Sequence, residues 1–207
     1  MKSLPEKTVE RLSRYRRLLM RYQYLDRPFI FSKDLAHMLN INPVHVRRDL
    51  MLLGISGSHS AGYDVQELIR HITEKLECRE GKNACFIGFG HMGRAALELF
   101  GEGFAPASIV AIFDTSSKSV GKIFSEVPCY SVDKITQIIE SQNISLAVLT
   151  EADEEIDSLI SLLLACGIRG ILNLTPVQLN VPDHIHLEEF DMVTTMIKLA
   201  YFSEKRG

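Results

Sequence analysis

Three glycines, Gly88, Gly90 and Gly93, stand at the spacing G-x-G-x-x-G, with Phe89, His91 and Met92 between them. The first glycine of such a set permits a tight strand-to-helix turn. The second lets backbone approach phosphate oxygens, and the third lets the helix pack close to the strand. An apolar run, Ala84-Cys85-Phe86-Ile87, leads in, and a helix-like stretch, Arg94 to Phe100, follows. A second apolar run, Ile109 to Phe113, ends at Asp114, 21 residues past Gly93. The chemistry this suits is capture of a dinucleotide diphosphate at a helix N-terminus, where unpaired N–H groups and partial positive charge collect. Asp114 would accept hydrogen bonds from ribose hydroxyls. Its charge would oppose a 2′-phosphate, which favours NAD(H) over NADP(H). The alternative is a structural glycine turn in an α/β domain that binds another group, such as coenzyme A, or nothing.

Strand ends elsewhere should complete the pocket, because ligands of parallel sheets bind outside the carboxyl ends of the strands. Thr150 ends one expected strand, and Asn173 with Thr175-Pro176 follows another. These three residues either line the nicotinamide end of a cleft or cap their own turn. Arg94 reads as a phosphate contact or as an exposed helix residue. A dehydrogenase would also need a proton-transfer group and a substrate pocket. About 125 residues hold one nucleotide fold and one more helix, so little chain is left for a substrate domain. The expectation is a non-enzyme, with an NAD-dependent oxidoreductase carrying a vestigial N-terminal module as the alternative.

These residues need a scaffold, and the segments around them supply it. Strands are expected at 84–88, 108–114, 127–131, 145–150 and 169–173, with Ile185-His186-Leu187 as a last short one. Helices are expected at 91–100, 132–142 and 153–166. Strands alternating with helices imply a parallel sheet covered on both faces.

The first part of the chain reads differently. Residues 5–25 form a basic amphipathic helix, with Val9, Leu12, Arg16, Leu19 and Met20 at helical spacing and Arg11, Arg14, Arg17 and Arg21 on other faces. Phe29-Ile30-Phe31 is a candidate strand. Ser32 is the expected cap of a helix over 33–39 with Leu35, Met38 and Leu39 inward. Asn42 caps a second helix that opens on Pro43 and stops at Gly54. Helix, short turn, capped helix is a helix-turn-helix pattern, and Gly54 to Tyr63, with Ser58 and His59, is the expected wing. In such motifs the second helix enters the major groove. Asn42, Val44, His45 and Arg48 are the candidates for base edges, and Arg47, Lys33 and Arg14 for phosphates. Val65–Leu76 reads as a linking helix, and 79–83 as the boundary between an N-terminal domain (1–80) and a C-terminal one (81–207).

Bulk composition agrees. The 207 residues carry a net charge of −3, yet the first 50 hold eleven Lys or Arg against five Asp or Glu. A basic segment on an acidic body suits a nucleic-acid-binding domain joined to something else. The four cysteines, Cys78, Cys85, Cys129 and Cys166, show no metal-ligand spacing, and the last three lie in apolar runs as expected buried free thiols. No apolar run reaches the roughly 18–20 residues that span a bilayer, and the charged N-terminus lacks a signal-peptide pattern. The expected location is the cytoplasm, with no membrane partner.

With both halves read, the chain resembles the Rex family of redox-sensing transcriptional repressors over nearly its whole length. The resemblance lies in Arg11-Leu12 with Tyr15, in Val46-Arg47-Arg48-Asp49-Leu50 before Gly54 and Gly62-Tyr63, and in the glycine fingerprint. It continues in Phe113-Asp114, Val120-Gly121-Lys122, Gly167 to Asn173, Thr175-Pro176, and Asp191 with Tyr201-Phe202. It implies an α/β protein: an N-terminal winged-helix domain and a C-terminal Rossmann-like parallel-sheet domain ending in a helix that is exchanged between subunits. It also implies a homodimer on a palindromic DNA operator, released by NADH and not by NAD⁺, with Asp191 pairing across the dimer with Arg17. A C-terminal helix with Val193, Met196, Ile197, Ala200 and Tyr201 on one apolar face fits that exchange or packs on its own subunit. The family's wing has a basic pair before glycine, where this chain has Ser58-His59-Ser60. Leu99, Ala152 and Thr195 also depart from the family pattern.

Overall fold

The computed structural model describes residues 4–25, 27–55, 62–76, 82–101, 107–152 and 155–204. The chain divides into two compact units, Met1–Arg79 and Glu80–Gly207. Cys78 and the Ser58-His59-Ser60 stretch of the expected wing lie outside the described residues.

The first unit contains α1 (Glu6–Tyr22), β1 (Phe29–Ile30), α2 (Ser32–Leu39), α3 (Pro43–Leu52), β2 (Tyr63–Asp64) and α4 (Val65–Leu76). Its core joins Leu12, Tyr15 and Leu19 of α1 to Leu35, Val46 and Leu50 of α2 and α3, and to Val65, Leu68 and Ile72 of α4. Each fully buried leucine here contributes about 1.5–3 kcal/mol relative to exposure. The buried stripe of α1 is Thr8, Leu12, Tyr15, Leu19 and Tyr22. Val9, expected inside, is exposed, because the two tyrosines at helical spacing complete the stripe instead. Strands β1 and β2 pair antiparallel, Phe29 opposite Asp64. Gly62, just before β2, has φ +81°, and a Cβ there would lie 2.7 Å from the Ile30 carbonyl oxygen, so this close approach needs glycine.

Four expectations in this unit are corrected. Ser32 is the first helical residue of α2 and not its cap; Phe31 holds the cap position without a side-chain bond. Phe31 accordingly is not part of β1. Met38 is exposed, and Ala36 takes the inward position beside Leu35. Helix α4 is no mere linker, since its apolar face helps build the first core. Asn42 does cap α3: its side chain accepts the Val44 N–H at 2.8 Å, with Pro43 at the first helical position.

The second unit runs β3 (Lys82–Ile87), α5 (His91–Gly101), β4 (Ala107–Asp114), β5 (Ile123–Phe124), β6 (Val127–Ser131), α6 (Ile135–Ser141), β7 (Ile144–Leu149), α7 (Ile156–Ala165), β8 (Gly170–Asn173), β9 (His186–Glu189) and α8 (Met192–Ser203). The sheet order is β5-β6-β4-β3-β7-β8-β9, all neighbours parallel except the β5–β6 pair. Strand β5 went unforeseen because two residues carry no periodic signal. The expected helix at 132–142 opens as a tight turn over Val132–Lys134, capped by Ser131, before α6 begins.

Alternation along the strands sends residues to two faces. Cys85, Ile87, Ala111, Phe113, Ala147 and Leu149 pack beneath Ile135 and Ile139 of α6 and Ile156, Ile160 and Leu163 of α7. Phe86, Ile112 and Val148 face the other way, against Ala96 and Leu97 of α5. Burial pushes the Cys85 thiol up to about 12, which keeps it neutral. Cys129 is also buried, but Cys166 is only half-buried, correcting the expectation of three buried thiols. No residue of α8 is buried.

Candidate functional site

The strand order reverses direction between β3 and β7: the chain leaves β3 for β4 on one side and later returns to β7 on the other. Such a reversal opens a crevice at the carboxyl ends of the strands, and the glycine turn lies there. Gly88 has φ +82° and donates its N–H to the Phe113 carbonyl at 2.9 Å. A Cβ on Gly93 would lie 2.9 Å from Thr150 Oγ1 and 3.0 Å from the Gly88 carbonyl oxygen. That measures how closely α5 approaches the turn. Helix α5 starts at His91, and the Arg94 N–H bonds the Gly90 carbonyl at 3.1 Å, so the N–H groups of His91, Met92 and Gly93 ahead of it have no intrahelical acceptors.

Asp114 ends β4, buried, with Oδ1 accepting the Ser116 N–H at 3.2 Å. Beside it a half-open cleft of about 400 Å³ is lined by Ile87, Gly88, Phe113, Asp114, Thr115, Val132, Glu151, Ala152, Ile156 and Leu159. Apolar walls with the Asp114 carboxylate at one edge and Glu151 at the other suit a flat heterocycle joined to a sugar diol. The glycine turn, with Gly88 in the cleft wall, suits the diphosphate, although the Glu151 side chain overlies Gly88 and Gly90 in this structure. The residues present therefore fit an adenine dinucleotide.

The other expected site residues divide. Phe89 is buried, its ring 4.7 Å from that of Phe124, with the Arg94 guanidinium over both. Phe89 can offer a ligand only backbone. Arg94 also reaches Ser119 Oγ at 3.4 Å, so it braces the loop after β4. His91 is exposed and Met92 half-buried at the start of α5. Thr150 is buried and donates Oγ1–H to the Gly88 carbonyl at 2.9 Å, which pins the glycine turn. Asn173 accepts from Thr175 N–H at 3.0 Å and from the Thr175 hydroxyl at 2.7 Å, and its amide donates to the Val177 carbonyl at 2.7 Å. Asn173 and Thr175 thus bind each other and their own turn, while Pro176 is exposed. Sequence reasoning missed Val132, Ile156, Leu159 and Glu151. The first three carried no local signal, but Glu151 directly follows Thr150 at a strand's carboxyl end, where ligands bind. Burial, and then the nearby Asp114 charge, push the Cys129 thiol up to about 11, with Arg94 opposing.

In the first unit α3 exposes Val44, His45, Arg47 and Arg48 along its outer side, and Asn42 at its start. Its inner side is locked by Asp49, which Arg11 and Tyr15 both bind. Arg14 donates to the Leu39 carbonyl at 3.0 Å, next to the α2–α3 turn. Lys33 stands 5.5 Å over the Phe31 ring. Arg17 is exposed on α1.

At the chain's far end Asp191 caps α8, accepting from the Thr194 hydroxyl and N–H, which hold its carboxyl below the usual range. Met196 and Ile197 are 64% and 62% exposed, and Val193, Leu199, Tyr201 and Phe202 are also more than half exposed. Among the described residues no group of His, Cys, Asp and Glu could hold a metal ion, and no helix is long and apolar enough to cross a membrane.

Known proteins match both units. Residues 3–50 match the family described as "Putative DNA-binding protein N-terminus", and residues 79–177 match the CoA binding domain family. The redox-sensing transcriptional repressor Rex of Shouchella clausii is 33% identical over 96% of this chain and 94% of its own. Rex of Streptococcus thermophilus is 31% identical over 99% of this chain and 94% of its own. The crystal structure of RSP, a Rex-family repressor, with β-NAD⁺ and operator DNA superposes with a TM-score of 0.86 at 25% identity. That alignment covers 100% of this chain and 95% of RSP. With a relative at this identity along almost its entire length, the chain belongs to the Rex family of redox-sensing transcriptional repressors.

Proposed function

We propose that this protein is a homodimeric, NAD(H)-responsive repressor that holds operator DNA and lets go when NADH binds. The observation that carries the reading is the joining in one chain of two features. One is the glycine turn with Asp114 at its cleft, and the other is a capped helix that exposes Val44, His45, Arg47 and Arg48. The RSP repressor, solved with β-NAD⁺ and operator DNA, supports it.

The nicotinamide group would supply the redox signal by the difference between its oxidised and reduced rings. The residues of this chain do the rest. Gly88, Gly90 and Gly93 with the start of α5 would receive the diphosphate, Asp114 the ribose hydroxyls, and Ile87, Val132, Ile156 and Leu159 the adenine. Thr150 and Arg94 hold that cradle in shape. Phe89, His91 and Met92 supply turn backbone. Asn173, Thr175 and Pro176 form the turn at the nicotinamide side. On DNA, Asn42, Val44, His45 and Arg48 face bases, Arg14, Lys33 and Arg47 face phosphates, and Ser58 and His59 belong to the wing.

The exposed apolar surface of α8 supports the homodimer. Apolar surface of this extent on one helix is stable when covered by a second copy. In that arrangement Met196 and Tyr201 lie in the interface, and Asp191 pairs with Arg17 of the second copy in one of two states. Two recognition helices must stand about 34 Å apart to enter successive major grooves, so a modest rotation of the dimer releases DNA. NADH can drive it only by binding the released state more tightly. That the relatives are named redox-sensing transcriptional repressors supports a sensor that acts without turnover, in the cytoplasm where NADH and DNA meet.

The match to CoA-binding domains favours a second reading, coenzyme A in the same cleft. CoA carries a 3′-phosphate on the adenosine ribose, and the Asp114 carboxylate opposes an anion there. Calorimetric titration separates the two. NADH should bind and CoA should neither bind nor compete, and fragments of the genome retained by the protein should be released by NADH.

A further inference from the structure

We propose that Glu151 sets the affinity of this protein for its dinucleotide, because its carboxylate rests in the glycine cradle and must leave before a diphosphate can enter. The inference rests on reading the cleft as a dinucleotide site.

The geometry is specific to one side chain. Glu151 Cβ stands 2.6 Å from where a Cβ of Gly88 would be, and its Cγ and Oε2 both stand 2.9 Å from that point. Its Oε1 stands 2.2 Å from where a Cβ of Gly90 would be. The two glycines that open the cradle are therefore both overlain by the same residue. Its backbone has little freedom to back away. Thr150, one residue earlier, is tied to the turn through its N–H to the Ile87 carbonyl at 3.0 Å and its hydroxyl to the Gly88 carbonyl at 2.9 Å. The side chain itself is exposed, so it can swing outward.

The chemistry explains why the carboxylate sits there. The first turn of α5 presents unpaired N–H groups and the positive end of the helix dipole, a setting that favours any anion. Glu151 is an anion close to that turn, and it fills the space over Gly88 and Gly90 that a phosphate would take. A diphosphate then competes with it twice. It needs the same space, and it brings like charge to within a few ångströms of an exposed carboxylate, a repulsion that added salt screens. The displaced carboxylate stays covalently close, so part of the repulsion persists in the complex.

This device acts on the half of the ligand that NADH and NAD⁺ share. It weakens both by the same factor and leaves the ratio of their affinities alone. The nicotinamide end decides which redox form is sensed, and Glu151 decides at what total concentration sensing begins.

Calorimetric titration of the full-length protein with NADH and with NAD⁺, for wild type, Glu151→Gln and Glu151→Ala at low and high salt, tests this. Glutamine keeps the size and removes the charge. Both variants should bind both dinucleotides about ten-fold tighter at low salt. The gain should be equal for the two ligands and should shrink as salt rises. Equal or weaker affinity in the variants, or a gain indifferent to salt, would overturn the role of Glu151 while leaving the dinucleotide site standing. Failure of wild type and variants alike to bind either dinucleotide would overturn both.

Discussion

Arg11 holds Asp49 through two parallel hydrogen bonds, Nε to Oδ2 at 2.6 Å and Nη2 to Oδ1 at 2.7 Å, while Tyr15 donates a third to Oδ2 at 2.8 Å. The Asp49 side chain is 1% exposed and that of Arg11 22%. The hydrogen bond and charge of Asp49 raise the Arg11 pKa, against the opposing cost of partial burial. Burial, aided by Asp49, raises the Tyr15 phenol well above its ordinary value. The three groups fix the roll of α3 about its own axis, which decides which side chains it exposes. Arg11→Ala would leave a buried carboxylate without its cation, at a cost of about 3 kcal/mol. The first unit should melt roughly 12–24 °C lower by calorimetry, and NADH binding should persist. An unchanged melting profile would show that the pair is replaceable.

Asp114 is the group proposed to read the ribose. Asp114→Asn keeps an acceptor for the Ser116 N–H and removes the charge. Charge-assisted hydrogen bonds are worth roughly 1.5–3 kcal/mol each, so NADH affinity should fall by about ten-fold or more, measured by nicotinamide fluorescence. NADPH, repelled in the wild type, should gain relative to NADH. A variant that kept full discrimination against NADPH would place the ribose elsewhere.

The exposed cations of α2 and α3 separate into two kinds of effect. Arg48→Ala should cost about 1–3 kcal/mol on the operator and relax the choice of base at one position. Arg47→Ala or Lys33→Ala should weaken binding to all sequences alike and lower the salt slope by about one. Anisotropy titrations on matched and mutated duplexes over a salt series distinguish them. A uniform loss for Arg48→Ala would move it to the phosphate class.

Helix α8 should hold the dimer together. Met196→Glu with Ile197→Glu places two charges on its apolar surface. Burying an unpaired charge is costly, so sedimentation should show the 23.3 kDa chain where the wild type shows twice that mass. A doubly charged variant that stays dimeric would show that α8 packs on its own subunit.

Much of this was legible in the sequence because it is local. The α3 cap needs only Asn42 and Pro43, and the glycine turn needs only six consecutive residues and the strand before it. Ser32 misled because a serine before an apolar run signals a cap, yet Phe31 already holds the extended backbone that precedes α2. Val9 and Met38 fit the helical period but lie at its margin, and Tyr15 and Ala36 won the inward places. The cleft was legible only at its glycine and Asp114 edge. Val132, Ile156 and Leu159 reach it from elements that follow Asp114 by 18 to 45 residues, and only the sheet topology brings them together. The self-satisfied turn of Asn173 and Thr175 was one of two readings their sequence allowed, and the backbone geometry shows it.

One ligand, in one redox state, should release this protein from DNA. Fluorescence anisotropy of a labelled duplex carrying the palindrome that the protein itself selects, titrated with NADH and, separately, with NAD⁺, tests this. NADH should release the duplex and NAD⁺ should not, even at saturation. DNA binding indifferent to saturating NADH would contradict the claim.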